Sequence, residues 1–341
     1  MKSSEISRRT LLGGAVSASA LLVSGSGMAQ SAAKAPVTIA NASGSMTRTM
    51  QAMLVQKGYL EEFGLAPNLM HVADGSRILS GILGGQIDLS TMSGFGQVFP
   101  AVSKGGKLKV LGAGAALPTL GVFTSKPDIK TLKDLEGRVV GTGSVGALLH
   151  QLMVALLRKH KVDVSKVRFV NIGSSVDVFR AVVAGTVDAG PGEITVLDEP
   201  GQFKVTLLEN GNMSLELTEF TYQGAWTSDK IIAEKRDVLV KAMAAHAKLY
   251  RYVQTPGSEQ DYLKARKAAF PSAKEEEGIA QWKYIQKYKP FAENLAVDEA
   301  HINFMQELNV SVKVQDKVLP YAQVADMSIA RDAIALLKKH A

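Results

Sequence analysis

The sequence predicts an α/β protein of two lobes, with mostly parallel sheets, a ligand cleft between the lobes and a helical C-terminal tail. The first observation behind the prediction is an internal repeat. Arg77–Gly94 and Asp177–Glu193 each read as a short amphipathic helix, a glycine and a Gly-x-(Ile/Val)-Asp phrase, and a Gly-Ser pair precedes both copies. Such self-similarity indicates two units of similar build, and clefts between units often bind small molecules.

Length and composition are the second observation. The chain has 341 residues, more than one ordinary core holds, and 46% of them are hydrophobic. It has no cysteine, which excludes disulfides, thiolate nucleophiles and cysteine metal sites. The net charge of +7 comes from scattered Lys and Arg residues, so we expect no nucleic-acid partner and only a weak attraction for small anions.

The first 29 residues read as a twin-arginine signal peptide. Ser7–Leu12 carries the Arg-Arg pair, and a weakly apolar run up to Met28 follows it. Small residues at Gly27 and Ala29 favour cleavage before Gln30. The run is too short and too rich in glycine for a good membrane-spanning helix. We therefore expect a soluble protein that is exported to the periplasm.

Strand and helix patterns alternate through the first lobe, which argues for a largely parallel sheet covered by helices. A β-rich run at Val37–Ala40 is followed by a Ser-Gly-Ser loop and by a helical pattern at Met46–Lys57, which Gly58 ends. Three further strand patterns follow at Leu69–Val72, Ile87–Leu89 and Leu108–Leu111. Asp88 and its equivalent Asp188 are interpreted as structural residues that cap turns near the strands.

The second lobe begins near Lys130–Gly137 and repeats the pattern. Its elements are a strand at Arg138–Val140, a glycine loop at Gly141–Gly146, a helix at Ala147–His160, and strands at Val167–Ile172 and Val205–Leu208. Leu120–Thr124 and Phe220–Trp226 are extended segments that can cross between lobes. The predicted division is therefore residues 30–120 with 226–341 for the first lobe and 121–225 for the second. Beyond Trp226 the pattern is nearly all helical, and we expect this tail to pack against the first lobe.

The glycine loop matches the G-x-G-x-x-G pattern of dinucleotide-binding proteins. It lies between a strand and a helix, as that fingerprint requires. The fingerprint also needs an acidic residue at the end of the next strand, where this chain has Asn171. An exported NAD(P)-dependent oxidoreductase that uses Gly141–Gly146 is therefore the alternative function. Without a dinucleotide, the N-terminus of the helix after the loop still attracts anions.

The candidate ligand-binding residues follow predicted strands, because parallel sheets bind ligands at the carboxyl ends of their strands. An N-cap is the structural alternative for each serine. Glu193 either accepts a hydrogen bond from an amine or hydroxyl of the ligand or is a surface carboxylate, and Trp226 either forms an apolar wall or packs in the hinge. The candidates are Ser43, Gly44, Ser45, Ser93, Gly94, Gly143, Ser144, Val145, Glu193 and Trp226. The six histidines show no metal-binding spacing and no nucleophile motif occurs, so we expect no metal, no cofactor and no catalytic residue.

The ordered set of phrases resembles the periplasmic substrate-binding proteins of ABC importers, of the nitrate/sulfonate/taurine type that also includes binders of thiamine precursors. The matching phrases are Gly58–Leu65, the two Gly-x-x-Asp phrases, Leu132–Gly141 with Gly143 and Ser144, and Tyr321–Ala330. The resemblance covers most of the chain after the signal. It implies a type II-like periplasmic binding protein fold, in which two lobes are joined by two crossover strands and close on a ligand.

The resemblance also implies ligand contacts at four loops, namely Ser43–Ser45, Ser93–Gly94, Gly143–Val145 and Pro191–Glu193. This chain departs from the family at Val145–Leu149, where an apolar run replaces the frequent polar or aromatic residues. An apolar wall favours an organic ligand over bare nitrate or sulfate. The sequence thus predicts a monomeric, non-enzymatic binding protein that captures a small organic, sulfonate- or carboxylate-like anion and delivers it to permease subunits in the inner membrane.

Overall fold

Two sheets of equivalent strand order form the core of the part of the chain that the structure describes, residues 33–198 and 203–340 of a computed structural model. The predicted signal peptide lies outside these residues. The strands are β1 Ala35–Ala42, β2 Leu65–Val72, β3 Ser90–Ser93, β4 Leu108–Ala113, β5 Leu120–Thr124, β6 Val139–Thr142, β7 Arg168–Asn171, β8 Ala189–Glu193, β9 Thr206–Asn212 and β10 Gly224–Ser228.

Helices cover the sheets and make up the C-terminal region. They are α1 Ser45–Gln56, α2 Tyr59–Glu62, α3 Gly75–Leu83, α4 Val98–Ser103, α5 Leu148–Lys159, α6 Ser175–Val183, α7 Met213–Glu216, α8 Asp229–Val253, α9 Glu259–Ala269, α10 Glu275–Tyr288, α11 Glu299–Ser311, α12 Tyr321–Val324 and α13 Ser328–Lys339. Single 3-10 turns occur at Leu132–Leu135, Val164–Lys166, Ile194–Asp198 and Pro256–Ser258. No helix in these described ranges is both long and apolar enough to cross a membrane.

Each sheet places one crossover strand between strands of the other direction. The first side of the molecule has the β1-β2 pair and the β3-β10-β4 sheet, which a parallel bridge between Ile39 and Leu89 joins. The second sheet has the order β7-β6-β8-β5-β9. β1 pairs with β2, and β6 with β7 and β8, in parallel, whereas β10 and β5 are antiparallel to their neighbours. The sheets are therefore mixed rather than mostly parallel. The cause is that β5 and β10, the strands in which the chain crosses from one sheet to the other, run opposite to their neighbours.

The two aspartates of the repeated phrase have the same structural role, as predicted. Asp88 Oδ2 accepts a hydrogen bond from the Thr38 N–H at 2.9 Å, and Asp188 Oδ2 accepts one from the Val139 N–H at 2.8 Å. Thr38 lies in β1 and Val139 begins β6, so each carboxylate ties the strand that follows it to a neighbouring strand. Lys235 adds an ion pair to Asp88 at 2.8 Å.

The C-terminal helices contact both sheets' helices rather than those of the first sheet alone. α8 packs against α13, α2 and α1, and α9 packs against α1. α11 contacts α5, and α10 contacts the turn at Ile194–Asp198, both of which belong with the second sheet. Lys34–Ala341 forms one compact unit, and the predicted lobe boundaries remain a prediction.

Candidate functional site

A small cavity of about 50 Å³ lies where loops at the carboxyl ends of five strands meet. We call it the central cavity. Loops after β1, β2 and β3 line one side, loops after β6 and β7 line the other, and two residues before β10 complete the wall. The lining residues are Ala42, Gly44, Ala73, Asp74, Gly75, Gly94, Gln97, Gly143, Ala147, Leu148, Leu149, Gly173, Ser174, Ser175, Tyr222 and Gln223. This position at the strand ends is where α/β sheets bind ligands.

Five helices of the described chain begin at the central cavity, namely α1, α3 and the short α4 beside the first sheet and α5 and α6 beside the second. α3 and α6 are capped by side chains, since Asp74 accepts from Ser76 N–H and Ser174 accepts from Asp177 N–H. α1 and α5 begin after Gly44 and Ala147, which make no side-chain cap. The first-turn N–H groups of a helix have no partner within the helix and carry partial positive charge. α1 and α5 thus present uncapped anion-binding ends from opposite sides of the cavity.

Beneath the cavity, a buried polar network fixes the end of β1. The Asn41 Oδ1 accepts from the Thr91 N–H at 3.0 Å and the Met92 N–H at 2.8 Å, and its Nδ2 donates to Thr91 Oγ1 at 3.1 Å. His246 Nδ1 lies 2.7 Å from the Ala242 carbonyl, and its Nε2 lies 2.9 Å from Thr91 Oγ1. Burial lowers the pKa of His246 to about 4. The neutral ring therefore donates through Nδ1 and accepts the Thr91 hydroxyl through Nε2, which satisfies every group in the network.

Three of the predicted serines use their hydroxyl groups within the protein. Ser43 Oγ donates to the Val72 carbonyl at 2.9 Å, and Ser93 Oγ accepts from the Ala42 N–H at 2.8 Å. Ser45 Oγ accepts from Gln281 Nε2 at 2.8 Å and from Arg266. These contacts hold the loops after β1 and β3 in place. The backbone of this region lines the cavity at Gly44 and Gly94.

Ser144 connects the two sheets across the cleft. Its Oγ donates to Asp74 Oδ2 at 3.0 Å and accepts from Asn171 Nδ2 at 3.1 Å. Asp74 belongs to the loop after β2, whereas Ser144 and Asn171 follow β6 and end β7. Gly143 lines the central cavity, but Ser144 lies in a larger open cavity of about 780 Å³ beside it.

Gly94 allows the closest approach between the two sides of the cleft. A Cβ atom at this position would lie 2.5 Å from the Leu148 Cβ at the start of α5, a separation that real Cβ atoms do not reach. A residue with any side chain at 94 would force α5 away from the loop after β3. The absence of a side chain at Gly94 therefore permits this close approach of α5 to the loop after β3.

Glu193 lies in a third cavity of about 340 Å³, which we call the side cavity. Thr119 Oγ1 donates to Glu193 Oε2 at 3.3 Å. Burial raises the pKa of the Glu193 carboxyl to about 7, although the positive charge of Arg266 and the hydrogen bond from Thr119 act to lower it. Glu193 is half-buried rather than the surface carboxylate of the structural alternative, and its contact with a ligand stays a prediction.

Trp226 and Val145 lie away from the central cavity. The Trp226 side chain is completely buried in β10, between β3 and β4, so the predicted apolar wall of the cleft is not formed by this residue. The alternative for Trp226 was that it packs in the hinge at the crossover, and its buried position in β10 agrees with that alternative. Val145 is 65% exposed and lines a separate surface groove with His150.

Of the predicted site residues, Gly44, Gly94 and Gly143 line the central cavity. Sequence reasoning missed its polar side chains, which are Asp74, Gln97, Ser174, Ser175, Tyr222 and Gln223. Gln97 is 7% exposed, and its Oε1 has no partner among the described residues, which leaves an acceptor at the cavity. Burial raises the pKa of Tyr222 well above its usual value, so its hydroxyl stays neutral. The sequence signal for Tyr222 and Gln223 was their place in the predicted crossover segment. Gln97 lies three residues beyond Gly94 and follows no local motif.

Solved structures with this fold include both binding proteins and an enzyme. The alkanesulfonate-binding protein SsuA from Xanthomonas axonopodis pv. citri, bound to MOPS, has 17% identity and a TM-score of 0.70, covering 86% of this chain and 99% of its own. The nitrate-binding protein NrtA from Synechocystis PCC 6803 has 8% identity and a TM-score of 0.69, covering 89% of both chains. The desulfurization enzyme DszB has 14% identity and a TM-score of 0.56, covering 90% of this chain and all of its own.

At these identities the structural likeness establishes the fold alone, that of the periplasmic binding proteins, as the sequence predicted. No curated protein sequence matches the chain. The sequence profile of the family described as "NMT1/THI5 like" matches residues 52–258, which is more than half of the chain. The matched range includes α3, the glycine loop, both copies of the repeat and both crossover strands. The chain belongs to the NMT1/THI5-like family.

Proposed function

We propose that this protein is the solute-binding component of an ABC-type importer and captures a small organic anion in the central cavity. The observation that carries the proposal is the convergence of two uncapped helix starts, at Gly44 and Ala147, from opposite sides of that cavity. Leu148 and Leu149 add an apolar surface beside them. The fold similarity to a sulfonate-binding and a nitrate-binding protein supports an anionic ligand.

The rest of the biological setting belongs to the same proposal. The protein is exported to the periplasm by the twin-arginine route, acts as a monomer without catalysis, and passes its ligand to membrane permease subunits. Closure on the ligand shifts an equilibrium between open and closed forms, and the closed form signals loading. The Ser7–Leu12 phrase and the family membership support this setting.

The oxidoreductase alternative has less support. Asn171 occupies the position where the dinucleotide fingerprint places an acidic residue, and its amide donates to Ser144. The central cavity of about 50 Å³ holds a small polar group but not a dinucleotide. Bound nicotinamide absorbance in the purified protein is the observation that would favour this alternative.

A thermal-shift screen of the protein without its signal tests the proposed function. The panel contains sulfonates, aliphatic and aromatic carboxylates, amino acids, pyrimidines, nitrate and NAD(P). A ligand at about a hundred times its Kd stabilises the protein by about 2.7 kcal/mol, which is a readily measured shift. A shift with an organic anion supports the proposal, and a shift with NAD(P) alone contradicts it.

Ala147→Asp tests the role of the α5 N-terminus directly. Ala147 has the extended backbone of an N-cap, φ −80° and ψ 170°, so an aspartate can cap the helix and place a negative charge at the cavity. We expect the loss of anion binding together with an unchanged or raised Tm, because the cap stabilises the helix. Ala184→Asp is the matched control. Ala184 lies at the C-terminal end of α6, whereas the cavity lies at its N-terminal end, so this variant retains binding. Anion affinity that survives in Ala147→Asp contradicts the proposed site.

A further inference from the structure

The central cavity is too small for a complete organic ligand in the closed arrangement. Its volume of about 50 Å³ accommodates an anionic head group such as a carboxylate or sulfonate but not a ring, since an engineered cavity that binds benzene measures about 150 Å³. Any larger ligand must extend into a neighbouring space. Two spaces adjoin the central cavity, and they differ in chemistry.

The open cavity beside Ser144 has a mixed lining of polar side chains, such as Asp74 and Arg77, and aliphatic ones, such as Met70 and Ile172. The hydrogen bond from Ser144 to Asp74 spans the two sheets on that side. An organic group that left the central cavity here would have to displace this bond. No aromatic residue of the described chain lines this cavity.

The side cavity adjoins the central cavity through Ser175, which lines both, and through Ser45, which follows Gly44. Its volume of about 340 Å³ is sufficient for an aromatic ring. Phe179 on α6 and Phe270 after α9 contribute aromatic walls.

Both aromatic walls are held in place by their surroundings. The Phe179 ring packs edge-on against Phe123 at a centroid separation of 5.6 Å. The Phe270 ring lies under two guanidinium groups, with Arg48 Cζ at 4.4 Å and Arg266 Cζ at 4.6 Å from its centroid. Rings that are fixed in this way lose little freedom when a ligand ring packs against them.

The buried Arg266 and the half-buried Glu193 line the same cavity. Arg266 is 7% exposed, donates to Ser45 and to Glu277, and has an Nε without a partner in the described part of the chain. Glu193 stands on the opposite side, at the end of β8. A carboxyl group accepts hydrogen bonds from a hydroxyl or amino substituent on a ring. The lining therefore has the apolar walls and the few polar groups that ligand sites combine.

We infer that the side cavity holds the ring of an aromatic carboxylate or sulfonate whose anionic head lies in the central cavity, and that Glu193 accepts a hydrogen bond from a ring substituent. This inference rests on the proposed function and adds the ligand class to it. Phe179 and Phe270 bind the ring, whereas the starts of α1 and α5 bind the anion. Short-chain anions occupy only the anion-binding part of this site, at the starts of α1 and α5.

Matched pairs of ligands test the inference by isothermal titration calorimetry on the wild-type chain without its signal. The pairs are acetate with benzoate and 4-hydroxybenzoate, and methanesulfonate with benzenesulfonate and 4-aminobenzenesulfonate. We expect the ring acids to bind about tenfold tighter than the short acids or better, since they bury a ring-sized apolar surface. Phe179→Ala removes most of this advantage. Phe304→Ala, a half-buried phenylalanine of α11 that contacts Phe220, retains it.

Glu193→Ala tests the inferred hydrogen bond between Glu193 and a substituent on the ring. It leaves the affinity for benzoate within about twofold and removes the preference for 4-hydroxybenzoate, as expected for the loss of one hydrogen bond to a charged group. Circular dichroism and Tm establish that each variant is folded. Equal affinities for ring and short acids, or a ring advantage that survives in Phe179→Ala, overturn the inference while the proposed function stands. A wild-type protein that binds no acid of the panel overturns both.

Discussion

At the scale of single residues, polar side chains near the cleft hold the protein together more than they face the cavity. Ser144 was predicted as a ligand contact because it follows a glycine between a strand and a helix. Its hydroxyl instead donates to Asp74, which lies 70 residues away in sequence. No local pattern reveals that the loops after β2 and β6 meet. The position of the loop was predictable from sequence, whereas the partner of its hydroxyl group depends on how the two sheets face each other.

Ser144→Ala removes a bond that forms only when the two sides of the cleft approach. We expect the ligand Kd to rise about fivefold, because a hydrogen bond contributes about 1 kcal/mol to the closed form. Calorimetry with the ligand found in the screen measures the change. Ser165→Ala, on the exposed turn before β7, is the control and leaves the Kd unchanged. An unaltered Kd in Ser144→Ala contradicts the assignment of Ser144 to cleft closure.

Gly94 illustrates what residue-level patterns do predict. It was selected because it follows the first Gly-x-x-Asp strand, and it lines the central cavity. Trp226 is a candidate for a different reason, its place at the return crossover, and it lies in the core. A glycine after a strand marks a close approach of backbone whatever the partner is. An aromatic residue in a crossover strand alternates between two faces, and the sequence alone does not say which face is covered.

At the scale of elements, the start of α5 contacts the loop after β3 across the cleft. Its first residues, Leu148 and Leu149, line the central cavity, and Leu148 packs over Gly94. The strand and helix alternation and the glycine ends were sufficient to predict this helix. The antiparallel direction of β5 and β10 was not predictable from local patterns, because it depends on the route by which the chain passes between sheets.

Gly94→Ala separates closure from folding. The added Cβ would lie 2.5 Å from the Leu148 Cβ, so the closed arrangement becomes strained while each side of the cleft can still fold. We expect ligand affinity to fall about tenfold or more, as for an overpacked contact that costs at least 1 kcal/mol. Small-angle scattering should show a smaller compaction on ligand addition than in the wild type.

Gly257→Ala is the matched control for this change. A Cβ at Gly257 would have no neighbour within 4 Å, so this variant should keep both the affinity and the compaction of the wild type. Wild-type behaviour of Gly94→Ala would show that the contact between Gly94 and Leu148 is not required for ligand capture.

At the scale of the whole molecule, the free energy of unfolding depends on pH because burial shifts the pKa values of two side chains, His246 and Glu193, in opposite directions. Burial lowers the pKa of His246 to about 4, so the unfolded chain binds more protons than the folded one between this value and about 6.5. Stability from His246 is therefore lost as the pH falls through that window. Burial raises the pKa of Glu193 to about 7. Its contribution has the reverse sign and is lost as the pH rises from about 4.5 towards 7.

Two variants separate these opposing effects. Between about pH 5 and 6.5 we expect His246→Gln to reduce the slope of unfolding free energy against pH, and Glu193→Gln to increase it, each by up to about 1.4 kcal/mol per pH unit. Urea denaturation at four pH values from about 4.5 to 7.5 measures the slopes. His340→Gln, at an exposed position near the end of α13, is the control. Parallel curves for the wild type and both variants would contradict the assigned burial of these groups.

The hydrogen bonds between the two crossing segments bear on how the protein signals an occupied site to its partners. Before β10, the Gln223 N–H donates to the Ala115 carbonyl and the Tyr222 N–H to the Ala116 carbonyl, so the two crossing segments are joined side by side. Tyr222 and Gln223 also line the central cavity. In the proposed function the two sides bend about these segments, so a bound anion would contact residues of the bending axis, and binding would be coupled to bending without a relay through the protein.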